Sequence, residues 1–304
     1  MRRIQISMLA TLVSVAAAHG TKFAVAQAKS TAPQVHVTKL HAARVSPMDL
    51  EIGGELAGMP AGVTRYITRD DLLGLPQVTY TVTDDANFTG PTKVSGVPLE
   101  DLMRYFGAGP AADFVVAICN DKYRANYPRA YLAQHHPLLV LEVNGNAPSG
   151  WPKDSGGHGY DMGPYMISHP KFTPSFKILS HSDEPQIPWG VVRIEFRDEK
   201  AVFGAIAPRG PHANDPAVQA GYTIAQQNCF RCHNAGEEGG RKSGVTWAVL
   251  SAVAVSSPEF FAAYVRNPKS KSAGAQMPGN PRYDDQTLRA LTAYFQSFSQ
   301  AEKP

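Results

Sequence analysis

Two rhythms of apolar residues divide this chain. Up to about residue 205 they come in short runs bounded by turn-forming residues: Gln77 to Val82, Phe114 to Ile118, Leu138 to Val143 and Val191 to Phe196. Runs of that length, rich in β-branched and aromatic side chains, predict strands. Short helices stand between them. Thr68 with Asp71 forms a capping box ahead of Leu72 and Leu73, while Leu99, Leu102, Met103 and Phe106 hold the i, i+3, i+4, i+7 spacing after Pro98. Residues 45–205 therefore predict an α+β domain in which strands outnumber helices.

The rhythm breaks at 206–216, where Pro208, Arg209, Gly210, Pro211, His212, Asn214 and Asp215 carry no periodicity and predict an interdomain linker. From Pro216 the spacing turns helical, with Val218, Tyr222 and Ala225 on one face. A second helix is predicted from Ser257-Pro258, hydroxyl cap followed by proline, and carries Phe260, Phe261, Tyr264 and Val265. A third begins near Asp284 and aligns Leu288, Leu291, Phe295 and Phe298. Residues 217–300 thus predict a small all-α domain of three helices, and the chain a multidomain protein.

The 304 residues are 43% hydrophobic, enough for packed cores in two domains. At the N-terminus Arg2 and Arg3 precede an apolar run from Ile6 to Ala18, and Ala26-Gln27-Ala28 offers a small-residue cleavage site. Residues 1–28 therefore predict a cleaved export signal, since the apolar run is shorter than the roughly 20 residues that span a bilayer. The chain has 29 Lys and Arg against 26 Asp and Glu. Removing 1–28, which holds Arg2, Arg3 and Lys22 and no acid, leaves the charges balanced, so nucleic-acid binding has no support. No other segment approaches a membrane span, and no internal repeat is evident.

The loudest chemistry is Cys229-Phe230-Arg231-Cys232-His233. Two thiols three residues apart can add to the two vinyl groups of a haem, and the adjacent imidazole supplies a proximal nitrogen to iron. Zinc would need a second Cys pair, and only Cys119 remains. A redox dithiol would accompany a βαβ pattern, which is absent. The motif therefore implies one covalent haem c. Attachment of such haems on the exported side of a bacterial membrane agrees with the signal and predicts a periplasmic protein. Met277 is the candidate sixth ligand: it stands in Gln276-Met277-Pro278-Gly279-Asn280-Pro281, a rigid loop between helices from which a thioether can point inward. His/Met ligation raises the reduction potential over that of two nitrogen ligands and suits an electron relay.

With these residues in view, 216–300 resemble a class I cytochrome c, including Gly221-Tyr222 ahead of the motif and Leu291, Tyr294 and Phe295 in the last helix. The family often has Gly-Pro after the motif, where a backbone carbonyl orients the proximal imidazole. The nearest match here is Gly244-Val245. The earlier region, through Gly96-Val97-Pro98-Leu99-Glu100-Asp101-Leu102-Met103, Asn120-Asp121-Lys122-Tyr123, Asn144-Gly145 and Pro188-Trp189-Gly190-Val191, resembles the molybdopterin-binding domain of sulfite-oxidase-type oxidoreductases. That resemblance implies a molybdenum-ligating cysteine before the Gly-Val-Pro-Leu element. The corresponding Thr81-Val82-Thr83-Asp84-Asp85-Ala86-Asn87 has none, and a soft metal's thiolate is poorly replaced by carboxylate.

Cys119 reads as a small buried hydrophobe at a strand end, with a metal ligand or reactive thiol as the alternative. The glycine-rich stretch Asp154 to Gly163 is either a surface loop or a ligand-approach site using His158 and Asp161. His135-His136 shows no ligand spacing. These residues predict an exported monohaem electron-transfer protein whose metal-free molybdopterin-fold domain docks a periplasmic redox partner, such as a dehydrogenase or oxidoreductase subunit, or binds a ligand. The alternative is a molybdenum oxidoreductase passing electrons internally to the haem.

Overall fold

The alternating and continuous apolar runs of the first two-thirds of the chain become one mixed sheet. The computed structural model of the protein describes residues 38–153, 159–170, 177–178, 181–182 and 186–298. The predicted export signal and His158 lie outside the described residues.

The first strands are β1 (Leu50–Gly54) and β2 (Arg65–Ile67), followed by helix α1 (Arg69–Leu73). Thr68 caps α1 by accepting from Asp71 N at 3.1 Å, as its sequence predicts. Next come β3 (Val78–Val82), β4 (Thr92–Pro98) and α2 (Leu99–Tyr105), then β5 (Phe114–Cys119), β6 (Arg124–Pro128), α3 (Arg129–His135) and β7 (Leu138–Val143). The segment closes with β8 (Tyr165–Ser168), the two-residue pair β9 (Lys177–Ile178) and β10 (His181–Ser182), the long β11 (Trp189–Arg197) and α4 (Glu199–Gly204). Among the described residues the main sheet runs β2-β1-β11-β8-β7-β4-β3, with β5 on β11 and β6 on β5. β1 lies parallel to β11, and the other pairs are antiparallel.

β11 is the hub, because it meets β8 at Trp189 and Val191 and then β5 from Val191 to Arg197. The change of partner falls at Gly190, whose φ of 68° an L side chain rarely adopts. Its N–H donates to Met162 O and its carbonyl accepts from Asn120 N, both at 2.9 Å, so neither backbone group is orphaned.

The helical region follows: α5 (Pro216–Asn228), the short pair β12 (Asn234–Ala235) and β13 (Glu238–Gly239), α6 (Trp247–Ser256), α7 (Pro258–Arg266) and α8 (Asp285–Ser297). Four helices stand where periodicity predicts three, the addition being α6. The predicted hydroxyl cap at Ser257 does not form. Ser257 ends α6 as it begins α7, with φ −149° and ψ 67° and no side-chain cap bond. Asp284 does cap α8, accepting from Thr287 N at 2.8 Å. Helices α5 and α8 cross at Gly221, where a Cβ would meet the Ala290 carbonyl and lie 2.6 Å from Tyr294 Cβ.

The sheet and the helices share one compact unit, Val35–Pro304. Strand β5 joins them. Its odd residues, Val115, Ala117 and Cys119, pack with the core around β1, β7, α2 and α3. Its even residues, Phe114 and Val116, pack with Val202, Phe203, Phe230, Trp247 and Tyr294. The period of two carries successive side chains to opposite faces, and both faces are covered. The stretch 206–216 begins inside this second core, since Ile206 is fully buried and its carbonyl accepts from the Tyr294 hydroxyl at 2.6 Å.

Candidate haem site

Helix α5 ends at the cysteine motif. Cys229 is its C-cap, and Cys232 N and His233 N both donate to the Cys229 carbonyl, at 3.1 and 3.0 Å, folding the five residues into one turn. Phe230 between the cysteines is fully buried, edge-on to Trp247 with ring centroids 5.4 Å apart. That ring holds the turn to the core, and both cysteines are half-buried and unbridged. Burial pushes the Cys229 thiol up to about 12, so it is neutral before any reaction.

His233 is buried, and its Nδ1 sits 2.6 Å from the Val245 carbonyl. That contact fixes the tautomer: Nδ1 carries the proton and donates, so Nε2 presents the lone pair that an iron takes. Burial lowers the imidazole's pKa against the opposing effect of this bond, which keeps the ring neutral, the form that ligates. The orienting carbonyl thus comes from the Gly244-Val245 step without a proline. Ser243 N donates to the Cys232 carbonyl at 3.0 Å, holding the loop that delivers it. Met277 lies in the loop before α8, half-buried against the same core as Phe230.

The haem loop is fixed to the sheet by main chain and by charge. Arg124 N donates to Arg231 O, and Arg241 N to Lys122 O, both at 3.0 Å. Gly240 makes the first approach possible, because a Cβ there would run into the Arg231 carbonyl. From β13, Glu238 extends its carboxylate between Arg124 and Arg197. Arg197 Nη2 donates to Oε1, and Arg124 Nη2 stands 2.8 Å from Oε2, an ion pair off the hydrogen-bonding direction. Glu195 joins the cluster: burial works against its charge, yet Arg193 and Arg124 hold its carboxyl below the usual range.

The sequence profile of the cytochrome c oxidase, cbb3-type, subunit III family matches residues 216–295. Residues 216–295 are a haem-binding cytochrome c domain. Among solved structures, the chain is similar to the sulfane dehydrogenase SoxCD from Paracoccus pantotrophus, at 18% identity and a TM-score of 0.34 over 57% of this chain. The chain spans 45% of the length of that chain. No curated protein matches it. The cytochrome c domain carries electron transfer, and a sheet-rich domain precedes it. Among the described residues no helix is long and apolar enough to cross a membrane.

The remaining candidate residues are placed as follows. Cys119 is buried at the end of β5, and burial drives its thiol pKa far up, so it is protonated in the free protein. Asp85, in the segment where the molybdopterin resemblance implies a cysteine, is turned inward. Its Oδ2 accepts from Ser168 Oγ at 2.5 Å and its Oδ1 from Asn87 N at 2.9 Å, and burial raises its pKa. Asp161 is exposed and ion-paired with Lys153. His135 packs on the ring of Tyr131, whose hydroxyl lies 2.8 Å from Nε2 of the buried His169. Burial, aided by neighbouring His135, drives the His169 pKa down to about 3.

Sequence reasoning missed a cleft of about 480 Å³ at the seam between sheet and haem loop, lined by Cys119, Asp121, Tyr123 and Trp189 on one side and Arg231 and Lys242 on the other. Its walls come from segments far apart in sequence, and no single spacing announces it.

Proposed function

We propose that this chain is an exported, monohaem electron-transfer protein in which Cys229 and Cys232 would hold haem c covalently and His233 and Met277 would ligate its iron. The observation that carries the reading is the bond from His233 Nδ1 to the Val245 carbonyl, which leaves Nε2 as a neutral donor beside two thiols on one turn. Bound haem supplies a one-electron couple, and the protein's residues set its ligands, its burial and its access. Met277 contributes a neutral thioether, which favours the reduced state. Phe230, Trp247 and Tyr294 supply the apolar packing behind the motif and keep water from that side.

The N-terminal domain serves the cytochrome domain as a docking or binding module for a periplasmic redox partner. A thiolate-ligated molybdenum does not fit its donors. The segment at Asp84-Asp85 offers a carboxylate already bonded to Ser168 and Asn87 in place of a thiolate, and Cys119 lies on β5, outside that segment.

The test is metal analysis and spectroscopy on protein expressed with the export and haem-attachment machinery. One covalent haem iron per chain and no molybdenum are expected. Met277→Ala should abolish the near-infrared sulfur-to-iron band and lower the potential. Survival of both overturns the Met277 assignment, and stoichiometric molybdenum overturns the docking role.

A further inference from the structure

Among the described residues the main sheet has outer edges at β2, β6 and β3, and the chain itself covers the first two. On β2, His41 N donates to Tyr66 O at 2.8 Å and Tyr66 N to His41 O at 3.0 Å. On β6, Arg124 N donates to Arg231 O. Strand β3 pairs with β4 alone, and among the described residues no backbone group on its outer side meets another segment. An antiparallel edge strand turns alternate N–H and C=O groups outward, a template for one more strand.

Such edges are usually blunted by a lysine, a proline, a bulge or an inward-pointing charge. Strand β3 has none of these. Val78-Thr79-Tyr80-Thr81-Val82 is uncharged and made of β-branched and aromatic residues. It follows β4 without a register shift, from Val78 opposite Gly96 to Val82 opposite Thr92. Its two faces differ. Val78, Tyr80 and Val82 pack with Val94, Val140 and Trp151, and of the three only Val82 is fully covered. Thr79 and Thr81 are exposed on the other face, with Thr79 Oγ1 2.9 Å from Ser95 Oγ.

The order of these five residues points to what pairs with them, because V-T-Y-T-V reads the same in both directions. Antiparallel pairing about a two-fold axis at Tyr80 sets Val78 opposite Val82 of the partner subunit, Thr79 opposite Thr81 of the partner subunit, and Tyr80 opposite its own copy. Apolar then meets apolar on one face and hydroxyl meets hydroxyl on the other, the cross-strand pairs that stabilise antiparallel sheets. Beyond the strand, Gln77 falls opposite Thr83 and Pro76 opposite Asp84, so no charge meets a like charge. A two-fold interface requires this self-complementarity, and an unrelated strand has no need of it.

We propose that two copies of this chain pair through their β3 edges, antiparallel about Tyr80, to form one sheet continuous across a two-fold dimer. The pairing adds about four to six interstrand hydrogen bonds. It also covers the half-buried Val78 and Tyr80. An interface of five residues a side is small, so the dimer is weak, in the micromolar range. In sheet order β4, β7 and β8 stand between β3 and β11, the strand that carries β5, so the pairing does not use the haem loop. The proposal is independent of the haem assignment.

The experiment is sedimentation velocity on the full chain over about 1 to 200 µM, where a concentration-dependent monomer–dimer equilibrium is expected. Thr79→Lys with Thr81→Lys sets lysine opposite lysine at both exposed pairs and should weaken the dimer about tenfold or more. Thr79→Glu with Thr81→Glu should do the same. Thr79→Lys with Thr81→Glu sets lysine opposite glutamate and should dimerise at least as well as the unaltered chain. An equimolar mixture of the double-lysine and double-glutamate proteins should form the mixed dimer. Both positions are exposed, and circular dichroism checks each fold. If one like-charge variant fails to fold, the variant of opposite sign reads the same contact. A chain that stays monomeric at the highest concentration overturns the proposal. A dimer indifferent to both like-charge variants overturns the β3 interface. A dimer lost as fully in the lysine–glutamate variant as in the double-lysine one overturns the two-fold register.

Discussion

Glu238 ties the haem loop to the sheet through two arginines. It sits on β13, five residues beyond His233, and meets Arg124 of β6 and Arg197 of β11. The side chain of Arg124 is 6% exposed and that of Glu238 17%, so both have lost most of their hydration. In such a setting the ion pair itself adds little, but removing one partner strands the other: breaking a buried pair costs about 3 to 5 kcal/mol. Glu238→Ala should therefore destabilise the protein by about that much. Glu238→Gln, which keeps an acceptor for Arg197, should cost less, on the order of 2 kcal/mol. The double variant Arg124→Met, Glu238→Leu removes both charges and should recover most of the loss, since apolar replacements of buried pairs are often neutral. Urea unfolding at fixed ionic strength measures this, followed in parallel by far-ultraviolet circular dichroism and by the haem Soret band. The two signals should lose stability together, because the sheet and the haem helices share a core through Phe114 and Val116. A cost for Glu238→Ala below about 1 kcal/mol, or a double variant no better than the single, refutes the argument. So does a Soret transition that moves while the circular dichroism transition stays.

Two further outcomes follow from packing and protonation. Gly221→Ala would ordinarily gain about 1 kcal/mol of helix propensity; here the added Cβ meets Ala290 O and Tyr294 Cβ, so overpacking of about 1 to 3 kcal/mol should prevail. Chemical denaturation showing a stabilised variant would contradict the α5–α8 crossing. His169 is neutral in the fold, its pKa lowered to about 3 from 6.5. Below pH 6.5 the unfolded chain therefore binds a proton that the folded chain refuses. Stability should fall as pH drops from 6.5 toward 3, by about 1.4 kcal/mol per pH unit from this one group. His169→Gln should flatten the denaturation profile between pH 6.5 and 4.5, and an unchanged slope would show that His169 does not titrate this way.

Strands β3, β5, β7 and β11 were legible because each is an apolar run written locally, whereas β1, β2, β4, β6 and β8 were not predicted. Thr68 and Asp284 announce helix starts through their own hydroxyl and carboxylate, and both cap as the sequence predicts. The continuous apolar run Phe114 to Ile118 marked a strand, observed as Phe114–Cys119, and its lack of alternation reflects burial on both faces. Helix α6 escaped because Trp-Ala-Val-Leu-Ser-Ala-Val-Ala-Val-Ser is apolar nearly all round, so no face stands out. Ser257 failed as a hydroxyl cap because it is shared between two helices, and its extended φ serves the turn between them. The Val245 carbonyl was legible only as a spacing, since any residue can present a carbonyl. The seam cleft and the Glu238 cluster were not legible, because both depend on which loops the sheet order brings together.

That sheet order bears on how the chain moves electrons. A cytochrome domain on a free tether presents its haem to partners independently of the domain that carries it. Here β5 lends one face to each core, Arg124 N holds the carbonyl of a residue inside the haem motif, and Glu238 is set between two strands' arginines. On the proposed docking role, a partner on the sheet would meet a surface that the Arg124 N to Arg231 O bond joins to the haem loop. On the proposed electron-transfer role, substitutions at the seam should change the rate of electron delivery even where they leave His233 and Met277 untouched.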